Sequence, residues 1–187
     1  MNIILASQSP RRKELLGLLN IPFAIRVADI DETLEEDLPV AEAVARLSRR
    51  KAEAIPRQPG DIVIAADTVV VCDGAVLGKP KDEQDALRML RMLSGRQHQV
   101  MTGMTVLQGE KAVSHTEITD IFFRDLTEAE IRAYIATKDP MDKAGAYGIQ
   151  NGAALFVEKI HGDYFNVVGL PVCRLGLILR ELMEESQ

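Results

Sequence analysis

Two serines and three cations stand close together near the start of the chain: Ser7, Ser9, Arg11, Arg12 and Lys13. The apolar run Ile3-Ile4-Leu5-Ala6 before them reads as a short buried strand. Pro10 suits the first turn of a helix, where its missing N–H costs nothing, and Ser9 is then the N-cap. Leu15, Leu16, Leu18 and Leu19 give that helix its apolar face. The cations therefore fall in the first helical turn, where the helix dipole disfavours them. An anion gives them a reason: free backbone N–H groups and the paired donors of arginine both suit phosphate oxygens. The plainer alternative is a solvated basic surface.

Asp67 is the acid best placed for catalysis. It interrupts a long apolar stretch, Ile62 to Ala66 and then Val69 to Cys72, that reads as a central strand buried on both faces. A carboxylate there needs a partner, hydrogen bonds or a metal, and perturbed buried acids favour functional sites. The alternative is a structural aspartate satisfied by backbone N–H groups or a lysine. Thr68 points to the opposite face if the pleat is regular; a bulge or strand end would let both reach one cleft. Lys51 follows Leu47 by one helical turn and either snorkels to water or points into a cleft. Lys79 sits just behind the hairpin signal Asp73-Gly74.

Together Arg11, Arg12, Lys51 and Lys79 supply the positive charge that a triphosphate needs. A triphosphate also brings a divalent cation, usually magnesium, held by one or two carboxylates plus phosphate oxygens. Glu32 and Asp67 are the natural pair, whereas Asp29 and Asp31 read as a solvated acidic loop. The Gly-x-x-x-x-Gly-Lys-Ser/Thr, Gly-x-Gly-x-x-Gly and Gly-x-Ser-x-Gly motifs are all absent. His98, His115 and His161 form no ligand pattern. With no activated serine or cysteine in view, water is the expected nucleophile.

The elements that must position these residues alternate. Strands are expected at Phe23 to Val27, Ile62 to Cys72 and Ala75 to Leu77, and a long antiparallel pair at Val100 to Leu107 and Ala112 to Phe123. Two more strands are expected at Leu155 to Val157 and Tyr164 to Val168. Helices are expected after Pro39, after the cap Asp82, after the capping box Thr127-Glu128-Ala129-Glu130, and after Pro171. Asp142 to Gly152 is a loop rich in small residues. The fold class is α/β, with a mixed, twisted central sheet flanked by helices and bent into two lobes around a cleft.

The 187 residues suffice for one sizeable domain, and no internal repeat or linker divides them. A net charge of -6 argues against non-specific grip on nucleic acid but not against a small phosphorylated ligand. No stretch is apolar enough to cross a bilayer and no signal peptide is evident, so no membrane partner is expected. Cys72 and Cys173 lack metal or redox spacing and read as buried free thiols in a reducing compartment, with the cytoplasm as the default.

Six segments, in order along the whole chain, resemble the Maf family of nucleoside triphosphate pyrophosphatases. They are Leu5-Ala-Ser-Gln-Ser-Pro-Arg-Arg-Lys-Glu-Leu-Leu, Ala66-Asp-Thr-Val-Val, Leu77-Gly-Lys-Pro, Met92-Leu-Ser-Gly-Arg-Gln-His, Asp142-Lys-Ala-Gly-Ala-Tyr-Gly-Ile-Gln and Asn166-Val-Val-Gly-Leu-Pro. The resemblance implies a single ITPase-like domain over residues 1–187, and a hydrolase that cleaves a nucleoside triphosphate between the α and β phosphates with a divalent cation, Mg²⁺ or Mn²⁺. It implies Asp67 as proton acceptor, and Arg11, Thr68 and Gln150 as determinants of substrate choice. Ser7, Arg12, Glu32, Lys51 and Lys79 would line the cleft, with Glu32 and Asp67 toward the metal. The late loop is similar to that of the subgroup acting on dTTP and UTP, and a homodimer is what the family suggests. Asn151 stands where the family often has glycine, which bears on the backbone of that loop. Two other functions fit the same residues: a house-cleaning pyrophosphatase for modified nucleotides, and a nucleotide-binding regulator of cell division.

Overall fold

The computed structural model describes residues 2–185. Seven strands and six α-helices alternate along them: β1 (Ile3–Leu5), α1 (Pro10–Gly17), β2 (Phe23–Ile25), α2 (Val40–Glu53), β3 (Ile62–Cys72), β4 (Ala75–Leu77), α3 (Glu83–Leu93), β5 (Gln97–Gln108), β6 (Lys111–Phe123), α4 (Glu128–Ala136), β7 (Val157–His161), α5 (Tyr164–Val168) and α6 (Val172–Glu185). The strands form one mixed sheet in the order β2-β1-β3-β5-β6-β7, with β4 also paired to β3. Among the described residues no helix is long and apolar enough to cross a membrane.

The chain resolves into two compact units. The first comprises Met1–Asp67, Thr102–Glu117 and Gly169–Gln187; the second comprises Thr68–Met101 and Ile118–Val168. In the first unit β1 runs parallel to both neighbours, Ile4 standing opposite Ala24 of β2 and Val63 of β3. Parallel neighbours need crossover connections, and α1 and α2 supply them. The β1–β3 pair carries a core of Ile4, Ala6, Val63 and Ala65, closed by Ala52, Ile55 and Leu107. Gly103 is required where β5 meets α2, because a Cβ there would lie 2.3 Å from the Val44 carbonyl oxygen. A hydroxyl chain crosses nearby: Ser48 Oγ lies 2.7 Å from Thr105 Oγ1, itself 2.8 Å from Ser114 Oγ.

In the second unit β3 turns into β4 through Asp73 and Gly74, both at positive φ (49° and 78°), as a two-residue hairpin of twisted strands demands. Asp82 caps α3 by accepting from the Asp85 N–H. Thr127 and Glu130 form the expected capping box on α4, which packs on α3. His98, Phe123, Tyr147, Phe156 and Tyr134 make a chain of edge-to-face rings.

Four expectations need correction here. Tyr164 to Val168 is a helical turn, not a strand. Asp163 starts it by accepting from the Phe165 N–H at 2.8 Å, and Asn166 is fully buried with its amide donating to the Val100 carbonyl and Thr119 Oγ1. A local cap and a buried amide outweigh the strand propensity of these aromatic and branched residues. Leu155 and Phe156 belong to a 3₁₀ turn over Gly152–Phe156, and the strand starts at Val157. Cys72 is a buried thiol as expected, but Cys173 is exposed, on the outer face of α6. The strand β5 also begins at Gln97, earlier than its apolar run, because His98 turns inward and bonds the Tyr147 hydroxyl at 2.8 Å.

Candidate functional site

The end of β1 and the start of α1 are built as the residues require. Ser7 is buried, and its hydroxyl accepts from the Ser9 N–H at 3.2 Å. Ser9 in turn caps α1, with Pro10 at the first helical position and Ser9 Oγ accepting from the Arg12 N–H at 3.4 Å. The Arg12 guanidinium is fixed on two sides: Nε donates to the Gly169 carbonyl at 2.8 Å and Nη1 to Ser7 Oγ at 3.4 Å. Burial lowers its pKa; the field of Asp67 opposes that, the neighbouring Arg11 adds to it, and Glu32 opposes it again. Arginine stays charged through such a shift, so the balance places one fixed cation within electrostatic reach of two acids and a second cation.

Lys51 resolves the choice that its position on α2 left open: it points inward. Its side chain is only 13% exposed, and its ammonium donates to Asp67 Oδ1 at 2.7 Å and pairs with Glu32 Oε1 at 2.9 Å. Asp67, 17% exposed, ends the first unit's share of β3, so the strand carries the acid to the edge of that unit's apolar core. Glu32 comes from the loop after β2 and is 63% exposed. Asp31 faces its own loop, accepting from the Thr33 N–H and hydroxyl at 2.9 and 2.6 Å, and these bonds hold its carboxyl below the usual range. That matches the acidic-loop reading of Asp31.

Ser7, Arg11, Arg12, Glu32, Lys51 and Asp67 thus come together in the first unit, from four separate segments. Thr68, Lys79 and Gln150 belong to the second unit. There Thr68 is half-buried, while Lys79 is exposed beside Gly78, whose carbonyl accepts from the Gly145 N–H at 3.0 Å. Gln150 is exposed on a loop held at three points. Lys143 Nζ donates to the Asp139 carbonyl, to Asp139 Oδ1 at 3.0 Å and to Asp142 Oδ1 at 2.8 Å. The Gly148 N–H donates to the Tyr134 hydroxyl at 3.0 Å, and Asn151 Nδ2 donates to Asp139 Oδ1 at 2.6 Å. The Tyr134 hydroxyl closes the network on Asp139 Oδ2 at 2.5 Å. Burial would raise the Asp139 pKa, but the bonds from Tyr134, Asn151 and Lys143 outweigh it and leave the carboxyl below its usual range.

Sequence reasoning missed two of these features. The Gly169 carbonyl lies 157 residues from Arg12, and a backbone acceptor leaves no trace in side-chain type. The Asp139 hub was hidden because Tyr134 reads as one more apolar residue of α4. Asn151 needs no positive φ: it sits at φ -113°, and its amide does work that a glycine could not.

The first-unit cluster offers anchored cations beside two carboxylates that share one ammonium. Among the described residues no three His, Cys, Asp or Glu side chains gather into a dedicated metal cage. Two carboxylates completed by phosphate oxygens are nevertheless what magnesium commonly takes, so the donor set of Asp67 and Glu32 fits a divalent cation that is shared with a phosphate ligand.

The mixed α/β fold is shared with a solved HAM1 protein from Coxiella burnetii, at a TM-score of 0.51 and 15% identity, covering 97% of this chain and 99% of that one. The model of the family described as Maf-like protein matches residues 2–182, and the chain belongs to that family. A relative named dTTP/UTP pyrophosphatase from Geobacillus sp. (strain WCH70) is 56% identical over 173 residues, 92% of this chain and 93% of its own. Another of the same name, from Bacillus cytotoxicus, is 50% identical over 182 residues, 97% of this chain and 94% of its own.

Proposed function

We propose that this protein hydrolyses dTTP and UTP between the α and β phosphates, releasing the nucleoside monophosphate and pyrophosphate. The observation that carries the reading is the pairing of Lys51 with Asp67 and Glu32, in whose field Arg12 is held by Ser7 and the Gly169 carbonyl. The pyrimidine substrates come from the names of the two relatives above, which align over nearly the full chain.

The polyphosphate lies against the α1 N-terminus, where the positive end of the helix dipole and the guanidinium groups of Arg11 and Arg12 offset its charge. Ser7 and the Gly169 carbonyl keep the Arg12 fork from swinging away. Asp67 accepts the proton of a water whose oxygen bonds to the α-phosphorus. The bond from that phosphorus to the bridging oxygen breaks, and the electron pair leaves with pyrophosphate. Asp67 and Glu32, together with phosphate oxygens, would hold a divalent cation, which would supply further charge neutralisation when bound. Lys51 balances the two acids in the free protein, and positioning with electrostatics does most of the work of the reaction, as in other phosphoryl transfers. By the family resemblance, Lys79 is part of the polar lining, and Thr68 and Gln150 act in substrate choice; Gln150 has both a donor and an acceptor for a pyrimidine edge.

The test is release of pyrophosphate from dTTP and UTP with Mg²⁺ or Mn²⁺, set beside CTP, the purine triphosphates and base-modified pyrimidine triphosphates. Pyrophosphate with dTMP or UMP is expected, fastest from dTTP and UTP. Release of single phosphate, or tight nucleotide binding without turnover, would overturn the reading.

A further inference from the structure

We propose that the Lys51 ammonium occupies the cation position of the free protein, so that a divalent metal enters only together with the nucleotide, as a metal–triphosphate complex. The nucleotide in this statement rests on the pyrophosphatase reading above; the displacement itself rests on geometry.

Lys51 Nζ lies 2.7 Å from Asp67 Oδ1 and 2.9 Å from Glu32 Oε1. Both are charge-assisted contacts of ordinary strong length. Asp67 and Glu32 are also the two carboxylates that would hold a magnesium ion beside a phosphate ligand. An ammonium and a dication cannot both fill the space between them, and their like charges repel at this range. A free metal ion therefore has to expel a mostly buried lysine that has no other acid to go to within the pair. A triphosphate changes that balance, because its oxygens offer the ammonium a new anionic partner.

The two inner cations differ in how they are held. Arg12 is fastened to a backbone carbonyl and a serine hydroxyl. The two ion pairs described for Lys51 are with the carboxylates alone, at the end of a flexible four-carbon stem. Arg12 thus stays in place while Lys51 moves. Glu32, 63% exposed on its loop, has the freedom to adjust to a metal. Lys51 is a positioning residue in this scheme: it holds the carboxylates in the free protein and passes to the phosphates when the complex arrives.

The experiment measures Mn²⁺ binding without nucleotide, by the loss of the free-ion electron paramagnetic resonance signal, for the wild type, Lys51→Met and Lys51→Arg. The wild type and Lys51→Arg are expected to bind Mn²⁺ at least tenfold more weakly than Lys51→Met, and adding Glu32→Gln to Lys51→Met is expected to remove the gain. Equal Mn²⁺ affinity in the wild type and a folded Lys51→Met would overturn the proposal. The wild type alone also decides it should Lys51→Met not fold: micromolar Mn²⁺ affinity in the free protein refutes displacement. Pyrophosphate release from dTTP by the wild type is scored separately. Turnover combined with tight binding of free Mn²⁺ sinks the displacement scheme only, whereas absence of turnover sinks the activity.

Discussion

Replacing Asp67 by asparagine keeps the volume and the polar shape of the residue but removes the proton acceptor and one of the two charges on Lys51. General-base contributions run at about 10²–10⁴ in rate, so kcat for dTTP is expected to fall by that factor. KM should change little, because Arg11, Arg12 and the α1 N-terminus keep their hold on the phosphates. The stability effect follows from the ion pair. Losing one partner of a fully buried pair costs about 3–5 kcal/mol, and an exposed pair is worth about 0–1 kcal/mol. The side chains of Lys51 and Asp67 are 13% and 17% exposed, and Glu32 still compensates Lys51. The cost should therefore fall between, at about 1–2 kcal/mol, which is roughly 2–8 °C in Tm for a chain of this size. Steady-state pyrophosphate release gives the first number and calorimetric unfolding the second. A folded Asp67→Asn protein that turns over within threefold of the wild type would show that this acid does not take the proton.

Four further outcomes follow from the same coordinates. Gly103→Ala puts a methyl group 2.3 Å from the Val44 carbonyl oxygen, so α2 must shift from β5; a loss of about 1–3 kcal/mol or more is expected in thermal unfolding. Asn151→Ala removes the 2.6 Å bond to Asp139 and should cost about 1 kcal/mol, with faster amide exchange across Gly148 to Gly152 as the local readout. Burial depresses His98 from 6.5 to about 4, and the neutral ring bonds Tyr147. The unfolded chain therefore takes up a proton first as pH falls. The neutral ring's contribution is full above pH 6.5 and lost as pH falls to about 4, worth up to about 3 kcal/mol; His98→Gln should flatten the stability profile in that window. Gln150→Ala should change the preference for dTTP and UTP over other triphosphates in kcat/KM by about tenfold, the scale of one or two lost hydrogen bonds, while leaving Tm nearly unchanged because the side chain is exposed.

Much of this molecule is written in local signals. Ser9-Pro10 starts α1, Asp82 starts α3, and Thr127 with Glu130 starts α4, because caps act within three residues and need nothing from the rest of the chain. Asp67 stood out for a related reason: an acid in an apolar strand demands a partner, although the strand itself could not say which. The partner was Lys51, whose helical position left its direction undecided until α2 was placed against β3. Tyr164 to Val168 misled because its composition suits a strand, while the deciding interactions, from Asp163, Thr119 and Val100, lie partly in distant segments. His98 hid its strand for the same reason: polar in sequence, it is 2% exposed in the fold. Side chains whose role depends on what they face, such as Tyr134 and Asp139, were the least readable.

The tie between Arg12 and the Gly169 carbonyl bears on biosynthesis. The first unit draws on the beginning, the middle and the end of the chain. A ribosome that has made everything up to residue 168 has not yet supplied the acceptor that orients this guanidinium. The nascent polypeptide therefore carries Arg12 without its backbone acceptor through nearly all of translation. Catalytic competence should arrive abruptly, once the segment leading into α6 clears the exit tunnel.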